Sequence, residues 1–98
     1  MEIIDAIKKI ILNTENLKKG DYFDSHTIIN ELISKEFHQI YLNNFPAGFT
    51  IGQYHGKIAK IIEESKLAEK VQFEGKDILI KSHTIYGEIK QNHLWKKL

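Results

Sequence analysis

Gln53, Lys57 and Lys60 are spaced so that one face of a helix would carry all three. A glutamine amide can pair with an adenine edge, and a lysine ammonium can approach guanine or a phosphate oxygen. The chemistry on offer is recognition of an anionic partner rather than bond making. The plainer reading is a solvated helix face, with Lys60 and Glu64 as a weak ion pair one turn apart. Trp95 stands among Leu94, Lys96 and Lys97, a setting that suits either base stacking or closure of a core. Five histidines, His26, His38, His55, His83 and His93, show no spacing typical of metal ligands, so neither a metal nor a cofactor is expected. His55 falls at the edge of an apolar face and reads as a packing residue. His83 and His93 are expected to be neighbours across a hairpin.

The motifs of enzymes are missing. There is no GxGxxG, no GxxxxGK, no HExxH and no GxSxG, so no catalytic residue is assigned and the chain is not expected to be an enzyme. The lack of cysteine removes thiolate nucleophiles, disulfides and cysteine-based zinc sites together.

All 14 basic residues are lysine. Without guanidinium groups, cationic contacts act as point charges, which favours backbone or shape contact over base-specific readout. The net charge of +1 conceals an uneven distribution. Residues 1–49 carry five Lys against seven acids, and residues 50–98 carry nine Lys against six acids. An anionic partner is thereby directed to the second half. Ninety-eight residues suit a single domain spanning 1–98. No apolar run is long enough to span a bilayer and the start Met1-Glu2-Ile3-Ile4-Asp5 is acidic, so the expectation is no membrane contact and a cytoplasmic location.

The elements that must position these residues follow from periodicity. Ile3, Ile4, Ile7, Ile10 and Ile11 predict a helix over 2–13. A loop rich in Asn, Lys and Gly follows, then a short extended Tyr22-Phe23. Asp24 or Ser25 is suited to cap a second helix with Ile28, Ile29, Leu32 and Ile33 inward. Phe37, Ile40 and Tyr41 carry helical spacing to about Leu42, and Asn43 to Gly48 form a loop. Thr50 and Gln53 make a capping box for a helix running to about Glu69, with Ile51, Tyr54, Ile58, Ile61 and Ile62 on one side. Gly52, Gly56 and Ala59 on its flank predict close packing of the bundle. After it come an alternating Val71-Gln72-Phe73, a turn at Glu74-Gly75-Lys76 and a strand at Asp77 to Lys81. Thr84-Ile85-Tyr86 would extend or re-form a strand, Gly87 marks a turn or bulge, and His93 to Lys96 form a last strand. The class is α+β: a three- or four-helix bundle followed by a small C-terminal antiparallel hairpin or sheet.

This order of elements resembles the winged helix-turn-helix superfamily over most of the chain. By that resemblance residues 25–35 correspond to the first or second bundle helix, Thr50 to Glu69 to the recognition helix, and about Val71 to Trp95 to the wing. The resemblance implies that Gln53, Lys57 and Lys60 face a DNA groove and that Lys76, Lys81, Lys90, Lys96 and Lys97 contact phosphates. It implies a regulatory protein that binds double-stranded DNA weakly or as a homodimer. The chain departs from the pattern in its long loop before Thr50, its acidic Glu63-Glu64 and its lack of arginine. These departures point to the alternative, a small module that binds a protein partner instead.

Overall fold

Helix α1, Ile3–Leu12, forms where isoleucines recur at helical spacing, and it buries Ile3, Ala6, Ile7, Ile10 and Ile11. Asp5 steadies its start by accepting from the Glu2 N–H at 3.4 Å. In the computed structural model, which describes residues 2–85 and 87–98, a loop with Leu17 buried leads to strand β1, Tyr22–Phe23. Helix α2, Ser25–Ile33, begins at Asp24, whose carboxylate accepts from the Thr27 N–H at 3.1 Å. Ile28, Ile29 and Leu32 line its inner face. A 3-10 turn over Lys35–Phe37 and a short helix α3, His38–Asn43, bring in Tyr41. Helix α4, Ile51–Glu64, sets Tyr54, Ile58, Ile61 and Ile62 into the same apolar cluster.

Helix α4 ends five residues short of the expected Glu69. The Ser65 hydroxyl donates to the Ile62 carbonyl at 2.6 Å and accepts from the Leu67 N–H at 3.2 Å. Lys66 then takes a left-handed backbone (φ 61°), which cannot continue a helix. The chain reverses into strand β2, Ala68–Lys70, because this segment has a strand to pair with. That strand is β7, Trp95–Lys97, the centre of a three-stranded antiparallel sheet of order β1-β7-β2. Phe23 and Lys70 lie opposite Trp95, on either side of it. Trp95 is 2% exposed and joins the helices' apolar cluster.

Between β2 and β7 lie two hairpins. Strands β3, Gln72–Phe73, and β4, Lys76–Asp77, meet at Glu74 and Gly75, both with positive φ as a tight two-residue turn requires. Strands β5, Leu79–His83, and β6, Ile89–His93, pair over five residues. The expected strand at Asp77 to Lys81 is thus divided at Ile78, and the expected last strand is divided at Leu94. The division has a cause: the Val71 N–H donates to the Leu94 carbonyl at 2.8 Å, Ile78 to Val71 at 2.9 Å, and Leu94 to Ile78 at 3.1 Å. This closed ring of three backbone bonds knots the base of both hairpins together. Thr84 closes the tip instead of extending a strand, donating its N–H to the Glu88 carbonyl at 2.7 Å. Gly87 supplies the positive φ (86°) for that turn. Tyr86 lies outside the described residues.

The fold is α+β, with helices preceding C-terminal strands. No described helix is long and apolar enough to cross a membrane.

Candidate nucleic-acid interface

The outer face of α4 is set by its first turn. The Thr50 hydroxyl accepts from the Gln53 N–H at 3.1 Å, and the Gln53 side-chain oxygen accepts from the Thr50 N–H at 2.9 Å. The capping box forms as its residues predict, at a chemical cost. With its oxygen engaged, Gln53 keeps only its amide NH2 for a partner, half of the bidentate adenine contact. Lys57 and Lys60 are exposed one and two turns on. Glu63 turns away from them toward Lys70, with 3.3 Å between carboxylate and ammonium. Lys70 also lies over the Trp95 ring, 5.8 Å from its centre.

The hairpin lysines divide by strand face. Lys76 is exposed on β4, and Lys81 is exposed opposite Gln91. Lys90 is paired with Ser82, so it shares the face turned toward the helices, and its ammonium is 3.6 Å from Glu88. Lys96 is half-buried on the central strand between Tyr22 and Glu69. Lys97 departs from the expectation altogether. It is 5% exposed and its ammonium donates to the Leu17 carbonyl, which fixes the loop after α1 to β7 and leaves no charge for a phosphate. Trp95 is likewise spent on the core and offers no stacking surface.

The histidines are distributed by role. His83 pairs with Ile89 and His93 with Leu79, so they stand at opposite ends of the hairpin rather than side by side. His93 Nδ1 instead lies 3.5 Å from Asp77. His55 Nε2 is 2.8 Å from the Tyr41 hydroxyl, while the Tyr54 hydroxyl donates to the Tyr41 carbonyl at 2.6 Å. Burial, reinforced by Tyr41, pushes the Tyr54 hydroxyl up to about 12. Burial, and then the nearby His26, hold His55 below the usual imidazole range, so it is uncharged at neutral pH. Among the described residues no three His, Asp or Glu side chains converge as metal ligands.

His26 anchors a feature that lies between α4 and the hairpin. The Ser82 hydroxyl donates to Asp24 at 2.5 Å and lies 2.5 Å from His26 Nδ1. A hydroxyl has one hydrogen, so His26 Nδ1–H is the donor toward Ser82. Asn92 Nδ2 lies 3.2 Å from both Ser82 Oγ and His26 Nε2, and Ser25 donates to the Asn92 side-chain oxygen at 3.3 Å. This network ties the hairpin to the start of α2. It leaves a groove of about 200 Å³ with Gly52 and Gly56 on one wall, Lys90 and Asn92 on the other, and Ser25 and His26 between. The glycines do not serve helix packing as expected. A Cβ on Gly56 would meet nothing within 4 Å, and one on Gly52 only the Thr50 hydroxyl at 3.9 Å.

Ser25, Ser82, Thr84 and Asn92 carry no local motif that would have marked them. The one sequence signal for the groove was the pair of helix-interior glycines. No known protein family, curated protein or solved structure matches this chain.

Proposed function

We propose that this chain is a regulatory, winged-helix-like protein of the cytoplasm that binds double-stranded DNA through α4 and the hairpins after it. The observation that carries the reading is the sheet order β1-β7-β2, with β1 placed between α1 and α2 and the hairpins inserted between β2 and β7. In support of it, α4 leads directly into β2 and the two hairpins follow before β7, the succession of capped helix and wing that a groove-and-backbone reader uses. Lys57, Lys60, Lys76, Lys81 and Lys90 are the cations that remain exposed for this role. Phosphate contact dominates such a surface, since lysine point charges carry little base discrimination. Titration of labelled duplex at about 50 mM and 200 mM salt tests the proposal. Affinity should fall steeply between the two and drop further in Lys57→Glu/Lys60→Glu. Absence of binding at the lower salt, or indifference to the double variant, would refute it.

A second reading, docking of a protein partner, is favoured by exposed apolar side chains. Phe73 is 69% and Ile89 61% exposed, with Leu79 and Ile85 also open on the same hairpins. Phe45, by contrast, packs against Tyr54 with ring centres 4.7 Å apart. Replacing Phe73 and Ile89 by Ser without loss of duplex binding, but with loss of a co-purifying protein, would favour that reading.

A further inference from the structure

We infer that the groove between α4 and the β5–β6 hairpin binds a small oxyanion, with inorganic phosphate as its simplest occupant. Three observations converge. The first is electrostatic. The chain has 13 carboxylate side chains, yet the lining of this groove contains none of them. Lys90, His26, His55, Ser25, Thr84 and Asn92 line it. Two acids stand just outside it: Glu88, whose carboxylate is 3.6 Å from the Lys90 ammonium, and Asp24, which lies behind Ser82 with its oxygens taken up by Thr27 and Ser82.

The second is a donor without an acceptor. Thr84 is 8% exposed and lines the groove. Its hydroxyl oxygen accepts from the Glu88 N–H at 3.1 Å, while its own hydrogen has no acceptor among the described residues. A buried O–H left in that state costs stability unless something in the groove receives it.

The third is space kept open against helix propensity. Gly52 and Gly56 lie inside α4, where glycine is the poorest helix former after proline, and neither gives room to a neighbouring side chain. What they give room to is the groove. Its volume of about 200 Å³ equals roughly seven waters at about 30 Å³ each, enough for a tetrahedral oxyanion with part of its hydration. Within it the anion would accept from Thr84 and Lys90 and would offset the burial and the His26 charge that oppose protonation of His55.

The groove lining includes neither Lys57 nor Lys60, so the inference is separable from duplex binding through α4, while Lys90 belongs to both surfaces. The test is titration of the isotope-labelled protein with sodium phosphate against sodium chloride at matched ionic strength and pH, read by amide and imidazole NMR shifts. Saturable, phosphate-specific shifts at Gly52, Gly56, Thr84 and His55 are expected. Gly56→Leu, which fills the groove with a better helix former, should weaken phosphate at least tenfold, as should Lys90→Ala. Lys57→Glu/Lys60→Glu should leave phosphate binding unchanged even where it abolishes duplex binding. Short duplex added to the wild-type protein separates the sources: groove shifts that appear with duplex but not with phosphate assign the site to a backbone phosphate. Absence of saturable groove shifts with either, shifts spread evenly over exposed lysines, or full binding by Gly56→Leu would overturn the inference.

Discussion

Strand β7 and the β5–β6 hairpin belong to one polypeptide segment, yet they are held in place by different forces. In β7, Trp95 and Lys97 are both buried, and the strand has a partner on each side. In β5 and β6 no residue is fully buried, and each strand has only the other as partner. Apolar burial is non-directional and spread over many contacts, so the base resists small changes. The hairpin is tethered by directional bonds, through Asp24, Ser82, His26 and Asn92 above and the Val71–Ile78–Leu94 ring below. Directional tethers release together when one member fails. The element proposed to touch a ligand is therefore the one whose position is most easily reset.

The largest test of this contrast is Trp95→Ala. Removing a buried aromatic costs about 3–5 kcal/mol, so the whole cooperative transition should move to much lower temperature in calorimetry. A small change would mean that β7 is not the keystone. Asp24→Ala removes both the α2 cap and the acceptor for Ser82, and is expected to cost about 1–3 kcal/mol. Hydrogen exchange should then show β5–β6 amides losing protection well before those of β7. Equal loss in the two would erase the distinction between base and hairpin. Gly56→Ala should act in the opposite direction, raising stability by about 0.8–1 kcal/mol, since the added methyl enters open space. Destabilisation there would show that the hairpin closes onto α4 more tightly than the static geometry implies.

The finest test is pH. The folded state holds His55 below its unfolded value of 6.5, so the unfolded chain binds the extra proton more readily. Stability should be full above pH 6.5 and should decline as pH falls below it, levelling once the folded protein also takes up the proton. His55→Gln should flatten that decline in thermal melts between pH 7 and 5, with His26, Tyr41 and Tyr54 retained around it. An unchanged slope would assign the effect to another group. Tyr54 acts at the other extreme: with its hydroxyl near 12 when folded, stability should fall as pH rises past the ordinary tyrosine value of 10.0.

Much of the base was readable from local pattern. The isoleucine spacing of α1, the Asp24 cap and the Thr50–Gln53 box all depend on residues within a few positions of one another, and each formed where expected. The end of α4 was not readable, because Ser65-Lys66 breaks the helix only in concert with a strand that must pair with β7. Lys97 shows the same limit. Nothing near it signals burial, since its acceptor is the Leu17 carbonyl, brought there by the fold. The groove was least readable of all: Ser82 lies 58 residues from Asp24, and Asn92 lies 67 residues from Ser25. Only Gly52 and Gly56 hinted at it, and their spacing suits helix packing as well as open space.

The central place of β7 also governs how quickly the molecule can assemble. Both β1 and β2 lack a ladder partner until residues 95–97 arrive, and the bond from Lys97 to Leu17 closes a span of 80 residues. Helices α1, α2 and α4 can form early from local contacts, but the sheet must wait for that long closure. Trp95 is the single tryptophan, so its fluorescence reports the event directly. Stopped-flow refolding should show helical circular dichroism returning ahead of tryptophan burial, and a shared time course would place strand docking inside the first nucleus instead.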